Sequence, residues 1–192
     1  MDAGGEPRRA LDEELRFLAR RHPRASWAAH PNLGELARFW LQRHQMFRRL
    51  DEILRTGSEA ALSQPVDPAE LKAWLARHLQ SFLWQLEEHH QVEDVHYFPV
   101  FRRVEPRLAA GFELLEGDHR DLHVALGGIV EIANRVLAHE SADLPPFRAG
   151  LARFRDAEAD LGRMLLRHLD DEEDLVVPLL LERGDVLLTG GA

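Results

Sequence analysis

The stretch that decides the fold occurs twice, as HHQVEDVHYFP at residues 89–99 and as HLDDEEDLVVP at residues 168–178. Each copy has a histidine, three residues, a glutamate, a second acid, four residues and a proline. A further histidine precedes each copy at a similar interval, His44 before the first and His119 before the second. Two matched copies, each with its own preceding histidine, indicate that one helical hairpin is repeated as a second.

Helical periodicity extends outward from both copies. Apolar residues recur at helical spacing in four segments, which are predicted as helices at about 33–55, 67–101, 112–139 and 145–183. Asn32 with Glu35 forms a predicted capping box. Asp67 before Pro68 is a second start signal, and Gly57 is a predicted stop. The chain is therefore predicted to be all-α, with its two hairpins arranged as a pseudo-symmetric bundle.

The length of the chain fits one domain, since 192 residues lie below the roughly 250 at which a single core stops growing. Before the bundle, Leu11, Leu15 and Leu18 recur at helical spacing and predict an extra N-terminal helix. We therefore expect three parts, namely an N-terminal helical extension and loop at 1–32, the bundle at 33–183 and a C-terminal tail at 184–192.

Composition and charge exclude several classes of function. The net charge of -9 argues against binding to a nucleic acid backbone. The absence of cysteine excludes disulfides, zinc fingers and iron–sulfur clusters, so any metal is held by nitrogen and oxygen. No run of about 18 apolar residues is present to span a membrane, and the N-terminus has no apolar signal region. We expect a cytoplasmic protein without membrane contact.

The spacing of histidine and glutamate in both copies suits metal binding. Residues i and i+4 lie on one face of an α-helix, so His89 and Glu93 can point at the same metal, as can His168 and Glu172. If the two helices face each other, the carboxylates can bridge two metals, and His44 and His119 add a nitrogen from the other two helices. A single such pair is usually a solvated surface contact. Two matched pairs favour the metal site.

His123 lies one helical turn after His119 and offers a fifth imidazole. Either coordination of the same metal or a hydrogen-bonding role beside it fits this spacing, and we expect coordination. Five histidines and two carboxylates would leave one metal with an open position for a small molecule. His90 lies about 100° around the helix from His89 and is predicted to be exposed or lateral.

These residues resemble the hemerythrin-like, or HHE cation-binding, family. The resemblance covers about residues 33–183, and its motifs are QRHQMF around His44, HHQVEDVHYFP, DHRDLH at 118–123 and HLDDEEDLVVP. It implies an up-down-up-down four-helix bundle and a non-haem diiron centre with a bridging oxo or hydroxo group. Carried over position by position, the implied metal ligands are His44, His89, Glu93, His119, His123, His168 and Glu172.

Two alternatives remain open at the level of the site. Oxygen carriers of this family often place the last carboxylate five residues after its histidine, which would select Glu173, whereas the repeat favours Glu172. Ferritin-like proteins also bind two metals in a four-helix bundle, through Glu-x-x-His on two helices. Here Leu165 stands where that pattern needs a glutamate before His168, which disfavours the ferritin alternative.

The resemblance implies a small-molecule function. The first hypothesis is binding of dioxygen or nitric oxide for storage, delivery or sensing, because a histidine-rich centre favours reversible binding over strong oxidation. The alternative is a diiron enzyme acting on peroxide or nitric oxide, or an iron-centre repair protein. Residue types alone leave the metal, the physiological ligand and the oligomeric state open.

Overall fold

A computed structural model describes residues 11–138 and 145–184 of the chain. The helices are α1 (Phe17–Arg21), α2 (Arg24–Trp27), α3 (Glu35–Ser63), α4 (Pro68–Val92), α5 (Phe98–Val104), α6 (Ala109–Leu137) and α7 (Pro145–Arg183). A π-helical turn, Glu93–Tyr97, joins α4 to α5, and a 3-10 turn, Pro106–Leu108, precedes α6. The described ranges contain no strand, and none of their helices combines the length and apolar character needed to cross a membrane.

The long helices form the predicted all-α bundle. His44 lies near the start of α3, whereas His89 lies near the end of α4. His119 lies in the first half of α6 and His168 in the second half of α7. Because these histidines meet at one level, consecutive helices alternate in direction. The up-down-up-down topology is confirmed, and two short helices, α1 and α2, take the place of the single extra N-terminal helix.

Two predicted helix ends differ from the structure. α3 continues through Gly57 to Ser63, because Gly57 makes room for a ring and does not end the helix. A Cβ atom at Gly57 would lie 2.2 Å from the Trp74 ring. At the other end, Gly34 precedes α3 without a side-chain cap, and the Asn32 amide donates to the carbonyl of Leu181 at 2.8 Å.

The start of α4 agrees with the prediction. Asp67 accepts a hydrogen bond from the Ala69 amide at 2.7 Å, with Pro68 in the first turn. The predicted end of the third helix at His139 and the tail at residues 185–192 lie outside the described residues.

The π-helical turn interrupts the second helix at Glu93. The Phe98 amide donates to the Glu93 carbonyl, five residues earlier. Pro99 follows directly, and proline in an ordinary α-helix clashes with the carbonyl four residues before it. The wider turn relieves that clash, and such turns often occur at functional sites. The second copy of the repeat has no such turn, since α7 remains α-helical through Pro178.

The two largest apolar clusters of the core lie at different levels along the bundle. One contains Phe47, Leu54, Phe82, Leu126, Phe154 and Leu161, among others. The other contains Trp40, Phe98, Phe101, Phe112, Leu115 and Leu175, among others. Since His44 lies between Trp40 and Phe47 on α3, a layer of buried polar side chains separates the two clusters. That layer of buried polar side chains is the candidate functional site.

Two acids, Asp51 on α3 and Glu158 on α7, are buried within the bundle. A Cβ atom at position 162 would lie 2.4 Å from the Asp51 carboxylate, so Gly162 leaves room for it. Burial and then Asp51 raise the pKa of Glu158 to about 7. Burial also raises the pKa of Asp51. The folded chain therefore favours the neutral form of Glu158.

Glu158→Gln is expected to remove a loss of stability at alkaline pH. Because the folded pKa lies above the unfolded value of 4.5, ionisation opposes folding progressively as pH rises from the unfolded pKa through the folded one. Wild type should lose about 1–2 kcal/mol relative to the variant between pH 5.5 and 8.5, after allowance for solvent screening. Urea unfolding at both pH values measures this. Glu59→Gln, an exposed acid nearby, is the control, and an equal pH dependence in all three proteins would contradict the assignment.

Candidate metal centre

Seven buried side chains meet in the polar layer, and they form two groups. The donor atoms within each group lie within 4.8 Å of one another. The first group is His44, His89, Glu93 and Glu172, and the second is His90, His119 and His168. Imidazole and carboxylate in this combination are ligands of iron, zinc and manganese.

Glu93 reaches both groups with its two oxygens. Its Oε1 lies 3.0 Å from Nε2 of His89, on its own helical segment. Its Oε2 lies 3.6 Å from Nε2 of His119 on α6. The carboxylate therefore connects a histidine of the first group with one of the second.

Glu172 is arranged in the same way. Its Oε1 lies 3.3 Å from Nε2 of His44, and its Oε2 lies 3.1 Å from Nε2 of His168. The Trp40 indole donates a further hydrogen bond to Oε1. The two glutamates thus have equivalent positions in the two hairpins, as the repeat predicts.

The second acid of each repeat orients a histidine from the other pair of helices. Asp94 accepts from Nδ1 of His119 at 2.8 Å, and Glu173 pairs with Nδ1 of His44 at 3.1 Å. A carboxylate beside Nδ1 holds the proton there and leaves Nε2 as the electron-pair donor. Glu173, the alternative bridging residue, therefore lies outside both groups and supports His44 instead.

The two copies of the repeat differ in the residue that follows the first histidine. His90 follows His89 in the first copy, and Leu169 follows His168 in the second. His90 is only 1% exposed, and its ring stacks on His119 with centroids 4.0 Å apart. The prediction that His90 is exposed or lateral is wrong, because α4 packs against both α3 and α6 and buries a wide arc of its surface.

His123 belongs to neither group. It is 38% exposed, and its Nδ1 lies 2.9 Å from the carboxylate of Glu87. Its ring meets the edge of His90 at 5.9 Å between centroids. Of the seven residues predicted as ligands, the structure brings six together, and His90 takes the place predicted for His123.

A family comparison bears on this geometry. The model of the hemerythrin HHE cation binding domain matches residues 35–180. The chain belongs to the hemerythrin HHE family. No curated protein and no solved structure matches it. Membership in this family, together with the two groups of histidine and glutamate, supports cation binding by this HHE domain.

The side chains of this HHE domain fit a bound cation. Nε2 of His44, Nε2 of His89 and both ring nitrogens of His90 are buried and form no hydrogen bond with the described residues. The same holds for both oxygens of Glu93 and for Oε2 of Glu172. Burying so many unsatisfied polar atoms costs free energy unless a ligand satisfies them, and a cation would satisfy them together.

The pKa values of the two glutamates differ in direction. Burial, and then the Glu172 carboxylate, raises the pKa of Glu93 well above its ordinary value. Burial alone would raise the pKa of Glu172 as well, but His44 and His168 hold it well below its usual range. Burial in the HHE domain therefore favours the neutral form of Glu93, whereas the two histidines favour the anionic form of Glu172. A cation would allow both to ionise.

One cavity of the HHE domain reaches this centre. It has a volume of about 240 Å³ and lies between α3 and α4. Its lining residues are Phe39, Trp40, Arg43, Glu88, His89, Val92, Glu93 and Tyr97. His89 and Glu93 belong to the first group, so a small molecule in the cavity would approach that group directly.

The N-terminal extension is connected to the centre through Glu173. Arg24 of α2 donates to Glu173 at 2.6 Å and to Asp174 at 2.8 Å. Arg48 of α3 donates to Glu173 at 2.7 Å. The acid that orients His44 is therefore itself held by two arginines, one of which lies outside the region that matches the family.

Glu173→Gln is expected to weaken metal binding about tenfold, because removing a carboxylate that orients a ligating histidine typically has an effect of about 10–100-fold. The loss should concern the metal nearest His44. Chelator competition on the metal-loaded protein measures the affinity. Asp174→Asn removes the same charge and also contacts Arg24, but it has no contact with His44, so it should leave the affinity unchanged. Equal losses in both variants would mean that only the overall charge matters.

Proposed function

We propose that this HHE domain holds two iron ions and binds a small diatomic molecule, dioxygen or nitric oxide, at one of them. The observation that carries the proposal is the position of the two glutamates. Each directs one oxygen at a histidine of the first group and the other at a histidine of the second. A carboxylate shared in this way suits two adjacent metals and has no evident purpose with one.

The proposed ligands divide unequally between the two ions. His44 and His89 serve one ion, and His90, His119 and His168 serve the other, while Glu93 and Glu172 are shared. This set keeps the predicted count of five histidines and two carboxylates, with His90 replacing His123. The donors are nitrogen and oxygen without thiolate, which suits iron.

Three features favour the ion of the first group as the place where the small molecule binds. That group has two histidines against three in the second. Leu169, which is fully buried, stands where the symmetric counterpart of His90 would be. The cavity also opens at His89 and Glu93. The ion with fewer protein ligands is therefore also the one that solvent-borne molecules can reach.

The chain's own residues supply the environment for binding. A reduced iron pair, when bound, can donate electron density to dioxygen or nitric oxide. Trp40 holds Glu172 through its indole N–H, and Trp40 and Phe47 pack against His89. These aromatic walls limit the entry of water and protons, which favours reversible binding over oxidation.

A second candidate is an enzyme acting on peroxide or nitric oxide. Tyr97 lines the cavity with its ring 5.0 Å from the Trp40 ring, and both side chains can be oxidised. Binding and turnover are separable by experiment. The reduced, iron-loaded protein should give a stable spectrum with dioxygen or nitric oxide that reverses on removal of the gas, with little loss of added peroxide. Continued peroxide consumption would favour the enzyme instead.

His90→Leu is expected to lower the iron content from about two ions per chain to about one, since the second group loses one of its three imidazoles and comes to resemble the Leu169 side. His123→Leu is the matched control, because it removes the same side chain from α6, where His123 contacts the His90 ring, and should keep about two ions. Iron analysis of both purified variants measures this. The reverse pattern, with iron lost only in His123→Leu, would restore His123 as the fifth ligand.

A further inference from the structure

The cavity between α3 and α4 contains a charged side chain that the proposed function does not use. Arg43 lines the cavity beside the first metal group. Its guanidinium carbon lies 5.6 Å from the centre of the Phe47 ring, a cation–π geometry that holds the head group in place. Arg43 is half-buried, so it is partly withdrawn from the solvent that would otherwise screen it.

Arg43 has no carboxylate partner, unlike its neighbours. Arg48, one turn along α3, pairs with Glu173 and Asp170. Arg24 pairs with Glu173 and Asp174. Among residues 11–138 and 145–184, no acid lies within ion-pair distance of Arg43, although the chain has 33 acids and 24 basic residues. A cation without an ion-pair partner among these residues therefore lines the cavity.

The other charges of the cavity do not cancel Arg43. Glu88 lines the cavity but is exposed to solvent, where screening weakens its field. Glu93 faces the metal group, and a bound cation would neutralise it. Arg43 also acts on the centre itself, because its charge works against the burial that raises the pKa of Glu93. The inner part of the cavity is thus positive once metals are bound.

The cavity is large enough for a small molecule. Its volume is about 240 Å³, well above the roughly 10–15 Å³ that one water molecule needs on the same measure. The remaining walls are Phe39, Trp40, Val92 and Tyr97, so Arg43 is the one arginine among the lining residues that could orient an anionic guest.

We propose that the cavity is a binding site for a small monoanion, such as nitrite, which the Arg43 guanidinium holds on its way to the metal ion of the first group. This inference rests on the proposed function and adds small anions to the ligands of the same site. Arg43 contacts the ligand and donates hydrogen bonds to it, while the metal completes the binding. A charge-assisted hydrogen bond of this kind is stronger than one between neutral partners.

The test compares an anion with a neutral molecule on the full, iron-loaded chain. Nitrite is titrated into the oxidised protein and nitric oxide into the reduced protein, and optical spectra give both dissociation constants. Arg43→Gln should raise the dissociation constant for nitrite about tenfold and change that for nitric oxide less than about twofold. Arg43→Lys keeps the charge and should retain most of the nitrite affinity. Arg49→Gln, an exposed arginine on the same helix, should have no effect on either ligand.

Any of the following results would overturn the inference. If Arg43→Gln weakens nitrite and nitric oxide equally, Arg43 shapes the centre and does not select anions. If Arg49→Gln has the same effect as Arg43→Gln, only the overall charge matters. Wild-type protein that binds nitric oxide but not nitrite would refute the anion site and leave the proposed function intact. Iron-loaded protein that binds neither molecule would refute both. Iron content is measured for every variant, so that loss of metal is not mistaken for loss of the anion site.

Discussion

The central constraint in this fold is the burial of seven ionisable side chains in one layer of a helical bundle. Such groups cannot be satisfied by the apolar clusters above and below them. They approach one another closely, and most of their inward-facing atoms form no hydrogen bond with the described residues. A cation among these side chains would therefore stabilise the layer. Folding and cation binding are then aspects of one equilibrium.

The surrounding structure is organised to hold that layer in register. Glu93 and Glu172 are each followed by an acid that pairs with a histidine from the other hairpin and orients it toward the centre. The outer acid Glu173 is held in turn by Arg24 and Arg48. Charge-assisted hydrogen bonds are short and directional. Through them the two arginines fix Glu173, which in turn fixes the orientation of His44. The N-terminal extension contributes to a centre that it does not touch.

Most of the fold was predictable, because the features that determine it are periodic. The helical pattern located all the long helices, and the repeat located Glu93, Glu172 and the histidines that face them. Gly57 was misread as a stop because a packing glycine and a terminating glycine look alike in sequence. Only the Trp74 ring against it distinguishes them.

The error at His90 has a different physical origin. Spacing along one helix predicts which residues share a face, but it does not predict how wide the buried arc is. His89 and His90 point in directions about 100° apart, and both are buried because α4 has a neighbour on each side. The repeat did contain a usable signal, since His90 and Leu169 form one of the pairs in which an ionisable residue of one copy corresponds to an apolar residue of the other.

The difference between His90 and Leu169 has a consequence for how such a centre could arise. Two fused copies of an identical hairpin would give two equivalent metal positions, each equally closed or equally open. Histidine and leucine codons can differ by one base, so one point mutation after duplication is enough to make the halves inequivalent. The two metal positions would then differ in their number of protein ligands before any change in the residues that line the cavity. The descent of the chain can be tested in its relatives by asking which of the two residues, His90 or Leu169, changes first.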